Sequence, residues 1–208
     1  MRCWPGVTVN PRQRPEFRVG QLAEWLAKGY YAHAAALFVA SNADAESLMP
    51  PRQPGAYVAV DHVYRKDGTA HVFYFKHFLS EATADAQLAA ELKRVWLVGA
   101  LLSVGDALAE AEYFDHAPEL EMVYHLRNGV AHGNRFEITN VKRLAQYPAH
   151  TRGAGVKSDL KTEFVITPAL HGQPVLFDYM EAGDILDLLM SVGMYLLRVA
   201  SNRPGHGP

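Results

Sequence analysis

His125-Leu126-Arg127-Asn128-Gly129-Val130-Ala131-His132-Gly133-Asn134 is the stretch from which the rest of the chain can be read. Upstream of it, Pro118 suits a first helical position, and Glu119 and Glu121 fall in a first turn, where negative charge is favoured. Downstream, Gly133-Asn134 is a helix stop. The segment therefore predicts one helix from Pro118 to Gly133-Asn134. At about 100° per residue, Met122, Val123, Leu126, Gly129 and Val130 share one arc, and Glu121, His125, Asn128 and His132 share another. The first arc is a core face; the second is a stripe of titratable and amide groups. Arg127 and His132 lie about 140° apart around a regular helix, whereas His125 and His132 lie about 20° apart. The arginine and histidine converge only if the arginine wraps round, the helix end is irregular, or a second subunit contributes.

Outward from this helix the chain reads as mainly helical. Leu22, Trp25, Leu26, Tyr30, Leu37 and Phe38 recur near helical spacing and predict a helix that fades near Ser41-Asn42. Leu88, Leu92, Val95, Trp96 and Leu102 predict a long helix, or two nearly collinear ones, between Glu81 and Phe114. Ile185, Leu188, Leu189, Val192, Tyr195, Leu196 and Val199 form the cleanest stripe of all. Two hairpins interrupt this pattern. One joins Ala56–Tyr64 to Thr69–Phe78 through Asp67-Gly68, and the other joins Thr162–Thr167 to Val175–Tyr179 through Pro168–Pro174. Each apolar stripe needs a partner to bury it, so the expected architecture is a mainly α bundle carrying two inserted β-hairpins. An irregular N-terminal arm over 1–16, a single domain over 17–200 with β insertions near 56–78 and 136–179, and a disordered tail over 201–208 complete the expectation.

Composition narrows the function classes. A chain of 208 residues can bury a proper core. Its net charge of −2 argues against coating nucleic acid through bulk positive charge, which needs many phosphate contacts. The single cysteine, Cys3, excludes an internal disulfide and a cysteine-based zinc cluster. His62, His71 and His77 lie in or beside the first hairpin without a recognised ligand pattern, so no metal and no cofactor is expected. No stretch reads as a signal peptide or a membrane span, which predicts a cytoplasmic protein without membrane attachment.

An arginine and a following histidine with four to six residues between them occur three times, at Arg65/His71, Arg127/His132 and Arg143/His150. Only Arg127 is followed directly by a polar residue, Asn128, inside an expected helix that continues as Ala-His-Gly. This Arg-Asn-x-x-x-His pattern resembles the signature of the HEPN superfamily of helical domains. The resemblance implies a HEPN-like four- or five-helix bundle, a homodimer, and a metal-independent endoribonuclease whose site is composed at the dimer interface. It assigns Arg127 and His132 to the two signature positions and Asn128 to the polar one. His125 is not part of that signature and enters as an auxiliary candidate on the same stripe. The family further implies work in toxin–antitoxin or anti-invader defence, with an antitoxin or a nucleotidyltransferase as partner.

The residue types suit that chemistry. Histidine titrates near neutrality and can take a proton from an RNA 2′-hydroxyl or protonate a leaving oxygen. Arginine can hold a phosphate bidentately and stabilise the charge that develops. Beside the motif, Arg135, Lys142, Arg143, Arg152, Lys157 and Lys161 face only Glu137 and Asp159 between residues 135 and 161. Arg135, Lys142, Arg143 and Arg152 are therefore candidate RNA-binding cations. The alternative is a non-catalytic HEPN-like module for dimerisation or for binding nucleotide, RNA or protein. A catalytic pair should be convergent and accessible, whereas a structural pair should be capped, ion-paired or buried.

Overall fold

The computed structural model describes residues 10–48, 59–74, 84–152 and 163–202. The chain is mainly helical. Its helices are α1 (Pro15–Ala40), α2 (Ala86–Glu110), α3 (Pro118–Ala131), the short α4 (Val141–Gln146) and α5 (Ala182–Asn202). Strands β1 (Ala59–Tyr64) and β2 (Ala70–Tyr74) pair antiparallel around a turn in which Gly68 takes φ 82°. The chain packs as two compact units, one comprising Met1–Gly29 and Trp96–Pro208, the other Tyr30–Val95.

The larger unit holds the motif helix. Leu97, Leu101, Val104 and Leu108 of α2, Leu120, Met122, Val123 and Leu126 of α3, and Ile185, Leu188, Leu189, Val192 and Leu196 of α5 are all essentially inaccessible. Removing each such side chain from water contributes about 1.5–3 kcal/mol. The helices approach closely where they are small. A Cβ on Gly20 of α1 would meet Gly193 O at 3.0 Å, and a Cβ on Gly193 would meet Gly20 O at 3.1 Å, so α1 and α5 cross backbone against backbone. Trp96 Nε1 donates to Leu26 O (3.2 Å) and fixes α2 against α1.

The apolar stripe of α5 is the one read from sequence. Those of α1 and α2 are phased differently. In α1 the buried residues of this unit include Val19, Ala23 and Ala27, while Trp25 is 61% exposed. In α2 the buried face begins at Leu97, and Val95 is 64% exposed. In α1 the small residues Ala23 and Ala27 hold the buried positions, which a reading weighted towards large side chains overlooks. In the smaller unit, Leu37, Ala40 and Ala45 are buried and Phe38 is 74% exposed.

The expected second hairpin takes another form among the described residues. Phe164 O accepts from Thr151 N (3.0 Å) and Ile166 N donates to Ala149 O (2.9 Å), so this segment returns to the residues after α4. Val175 N donates to Asn134 O (3.1 Å), and Phe136 and residues 172–173 exchange backbone bonds, so the second segment returns to the residues after α3. The second segment thus holds the exit from α3. Residues 1–9, 153–162 and 203–208, and with them most of the expected arm and tail, lie outside the described residues, as do Lys157, Asp159 and Lys161. No helix is long and apolar enough to cross a membrane among the described residues.

Candidate functional site

The motif helix α3 starts at Pro118 and carries Glu119 and Glu121 in its first turn, as its sequence predicts. It stops where two left-handed residues, Gly133 (φ 77°) and Asn134 (φ 60°), turn the chain back and Arg135 N donates to Gly129 O (3.0 Å). Asn134 then clamps the returning segment. Its Nδ2 donates to Leu176 O (3.0 Å) and its Oδ1 accepts from Leu176 N (2.8 Å). Gly129 leaves room for that segment: a Cβ there would lie 2.5 Å from Val175 Cγ2.

At this end of α3 the three signature residues emerge from the core. Arg127 Nε and Nη2 donate to Asp106 Oδ1 of α2 (2.9 and 2.6 Å), and its Nη1 donates to Asn128 Oδ1 (3.2 Å). Its aliphatic stem lies across Gly105, where a Cβ would meet Arg127 Cγ at 2.5 Å. His132 caps the helix, its backbone N–H shared between Asn128 O and Gly129 O. Its ring Nε2 lies 2.9 Å from Glu137 Oε2, and its side chain is 59% exposed. Arg127 and Asn128 are thus brought together, while no hydrogen bond joins either side chain to His132. Within one chain the arginine and the histidine each keep a separate carboxylate.

His125 stands elsewhere. It is 5% exposed, its Nε2 has no hydrogen-bond partner, and burial, helped by the nearby Arg143 guanidinium, pushes its pKa down to about 4. The ring is neutral near pH 7 and belongs to the core rather than to a solvent-facing stripe with His132. Glu121, on the same arc, is fully buried. The arc counted from sequence is correct in angle, but α3 is enclosed on nearly all sides over its first half.

The basic run after α3 is also redistributed. Arg143 folds back so that Nη2 donates to both oxygens of Glu121 (2.9 and 3.1 Å). It is therefore a partly buried, charge-paired residue rather than an open phosphate contact. Arg152 pairs with Glu163 (3.0 and 2.9 Å), and Arg135 Nη1 donates to Gly172 O (2.8 Å). Lys142 is exposed and makes no side-chain hydrogen bond or ion pair with the described residues. The partners Glu121 and Glu163 both lie outside the sequence window in which these cations outnumber the acids. Among the described residues no three His, Cys, Asp or Glu side chains cluster as a metal site.

Sequence reading missed a second constellation at the other end of α3. Residues Glu112, Tyr113 and Phe114 (φ 49°, 56° and 50°) and His116 (φ 55°) form a left-handed turn between α2 and α3. Such a conformation costs an L-residue roughly 1–2 kcal/mol. The turn is held by burial of Tyr113, by Tyr113 N donating to Leu108 O (2.8 Å), and by the Tyr195 hydroxyl donating to Asp115 Oδ2. It aims His116 Nδ1 at Glu121 Oε1 (2.6 Å) and stacks the imidazole on Tyr147, with centroids 3.9 Å apart and planes 17° from parallel. The Arg143 guanidinium sits 4.3 Å from the Tyr124 ring, 5.4 Å from Tyr147 and 6.0 Å from Tyr113. An open cleft of about 380 Å³ lies among these side chains. The short helix α4 delivers Arg143 and Tyr147, its start capped by Asn140 Oδ1 accepting from Arg143 N (2.9 Å).

Compared with protein-family models, with curated proteins and with solved structures, the chain matches none. The HEPN resemblance therefore rests on Arg127, Asn128 and His132 and on the helix that carries them.

Proposed function

We propose that the chain is a metal-independent endoribonuclease of the HEPN type, working in the cytoplasm as a homodimer whose site is composed of Arg127, Asn128 and His132 from facing protomers. The observation that carries this reading is where α3 meets solvent. The helix is buried through its first half and surfaces at the signature residues, with side-chain exposure of 33% for Arg127 and 59% for His132. Their present partners, Asp106 and Glu137, are 58% and 45% exposed. Exposed ion pairs contribute only about 0–1 kcal/mol, so an RNA phosphate can replace Asp106 on the guanidinium at little cost.

In this reading, His132 accepts the proton of a 2′-hydroxyl as that oxygen attacks the adjacent phosphorus. Arg127 holds the phosphate and stabilises its growing charge, and Asn128 positions the guanidinium. The bond to the 5′ oxygen breaks, that oxygen takes a proton from water, and the products are a 2′,3′-cyclic phosphate and a 5′-hydroxyl. DNA lacks the nucleophile. A role in toxin–antitoxin or anti-invader defence, with an antitoxin or nucleotidyltransferase partner, is what the family resemblance adds.

The test is incubation with single-stranded RNA in EDTA, beside a 2′-deoxy substrate and the variants Arg127→Ala and His132→Ala. The expected result is cleavage of RNA alone, by the unaltered protein alone. A second reading, a non-catalytic binding module, is favoured by one observation: Arg127 packs across Gly105 and pairs with Asp106 without reaching His132. Equal cleavage by all three proteins or inertness towards every RNA tried would favour it, whereas cleavage of the deoxy substrate would contradict attack by the 2′-hydroxyl.

A further inference from the structure

The cleft between the left-handed turn, the start of α3 and α4 is built from rings around one cation. Its lining holds one permanent cation, Arg143, and one carboxylate, Glu112. The Arg143 charge is met by the fully buried Glu121, and His125 behind it is neutral near pH 7. The hydrogen-bonding capacity of Arg143 is not used up: Nη2 serves Glu121, Nε is buried without a partner, and Nη1 makes no hydrogen bond. A group with its charge compensated and donors to spare selects a neutral acceptor over an anion. Around it, Tyr113, Tyr124, Tyr147 and His116 supply aromatic faces and edges.

We propose that this cleft is a base subsite, which takes one planar nucleobase bearing a ring carbonyl, guanine, uracil or cytosine, by stacking on the aromatic walls and accepting from Arg143. Unpaired RNA bases are recognised by this combination of stacking on aromatic side chains and hydrogen bonding along an exposed edge. That the base belongs to an RNA strand rests on the ribonuclease reading; the stacking and hydrogen bonding do not. The cleft adjoins the motif through Tyr113, whose hydroxyl points at Gly105 O (3.5 Å), the same glycine that the Arg127 stem crosses. The left-handed turn that delivers Tyr113 and His116 gives the backbone strain at this place a use.

Ligand-observed NMR with guanosine, uridine, adenosine and inorganic phosphate tests the proposal on the intact protein. Guanosine and uridine are expected to bind at least about tenfold tighter than adenosine, and phosphate is expected not to displace them. Tyr147→Leu removes a stacking wall. Arg143→Lys keeps the charge opposite Glu121 but loses the guanidinium fork. Each variant is expected to weaken binding about tenfold or more. Absence of nucleoside binding, displacement by phosphate, or unchanged binding in both Tyr147→Leu and a folded Arg143→Lys would overturn it. Nucleoside binding by a protein that cuts no RNA would overturn the ribonuclease reading alone.

Discussion

The two ends of α3 carry similar side chains in opposite settings. At the start, Glu121 is fully buried and shared between Arg143 and His116, and His125 is buried and neutral near pH 7. At the end, Arg127 and His132 reach solvent, each beside an exposed carboxylate. A buried pair is costly to break because the survivor is left charged in a poor solvent, whereas an exposed pair exchanges partners readily. The first end can shape a rigid cleft. The second can release its charges to an incoming phosphate.

Removing one member of the buried pair should produce the largest effect. Glu121→Ala leaves Arg143 uncompensated and should destabilise the protein by about 3–5 kcal/mol, read from the urea midpoint. A loss below about 1 kcal/mol would mean that this end is as exchangeable as the other.

The next effect belongs to His125. Its folded-state pKa, near 4, lies below the ordinary 6.5, so between these values the unfolded chain binds more protons than the folded one. Stability is therefore complete above about pH 6.5 and falls as the pH drops towards 4, by at most about 3 kcal/mol. His125→Phe should flatten the urea midpoint against pH across that window. An unchanged slope would place the titration elsewhere.

Gly105→Ala should cost about 1–3 kcal/mol, because its Cβ would overlap the stem of Arg127. Thermal denaturation reads the loss, and a neutral substitution would show that Arg127 moves freely. Smallest of all, Asp106→Asn at the exposed pair should change stability by less than about 1 kcal/mol. A larger loss would mean that Arg127 is a structural anchor and would favour the binding-module reading.

Much of this architecture was legible from local signals. The limits of α3 follow from Pro118 and Gly133-Asn134, and the core face of α5 follows from its periodicity. What escaped was fixed by tertiary pairing. Glu121 and His125 sit on the arc that their spacing predicts, yet the enclosure of that arc depends on α4, a six-residue helix with no amphipathic signal. Arg143 counted as a free cation because its acid lies 22 residues earlier in the chain. The left-handed turn at 112–116 contains no glycine to announce it. The signature triad was legible as a motif, and helical spacing already set Arg127 apart from His132 within one chain, but their carboxylate partners, Asp106 and Glu137, were not legible.

That separation leads to the most direct measurement. In the proposed dimer the arginine of one protomer works with the histidine of its partner, so Arg127→Ala and His132→Ala chains, each inactive alone, should complement when mixed and re-equilibrated. Random pairing rebuilds one intact site in about half of the dimers, which predicts RNA cleavage near a quarter of the unaltered rate. A mixture as inactive as its components, from variants shown to exchange subunits, would contradict a site composed across the dimer.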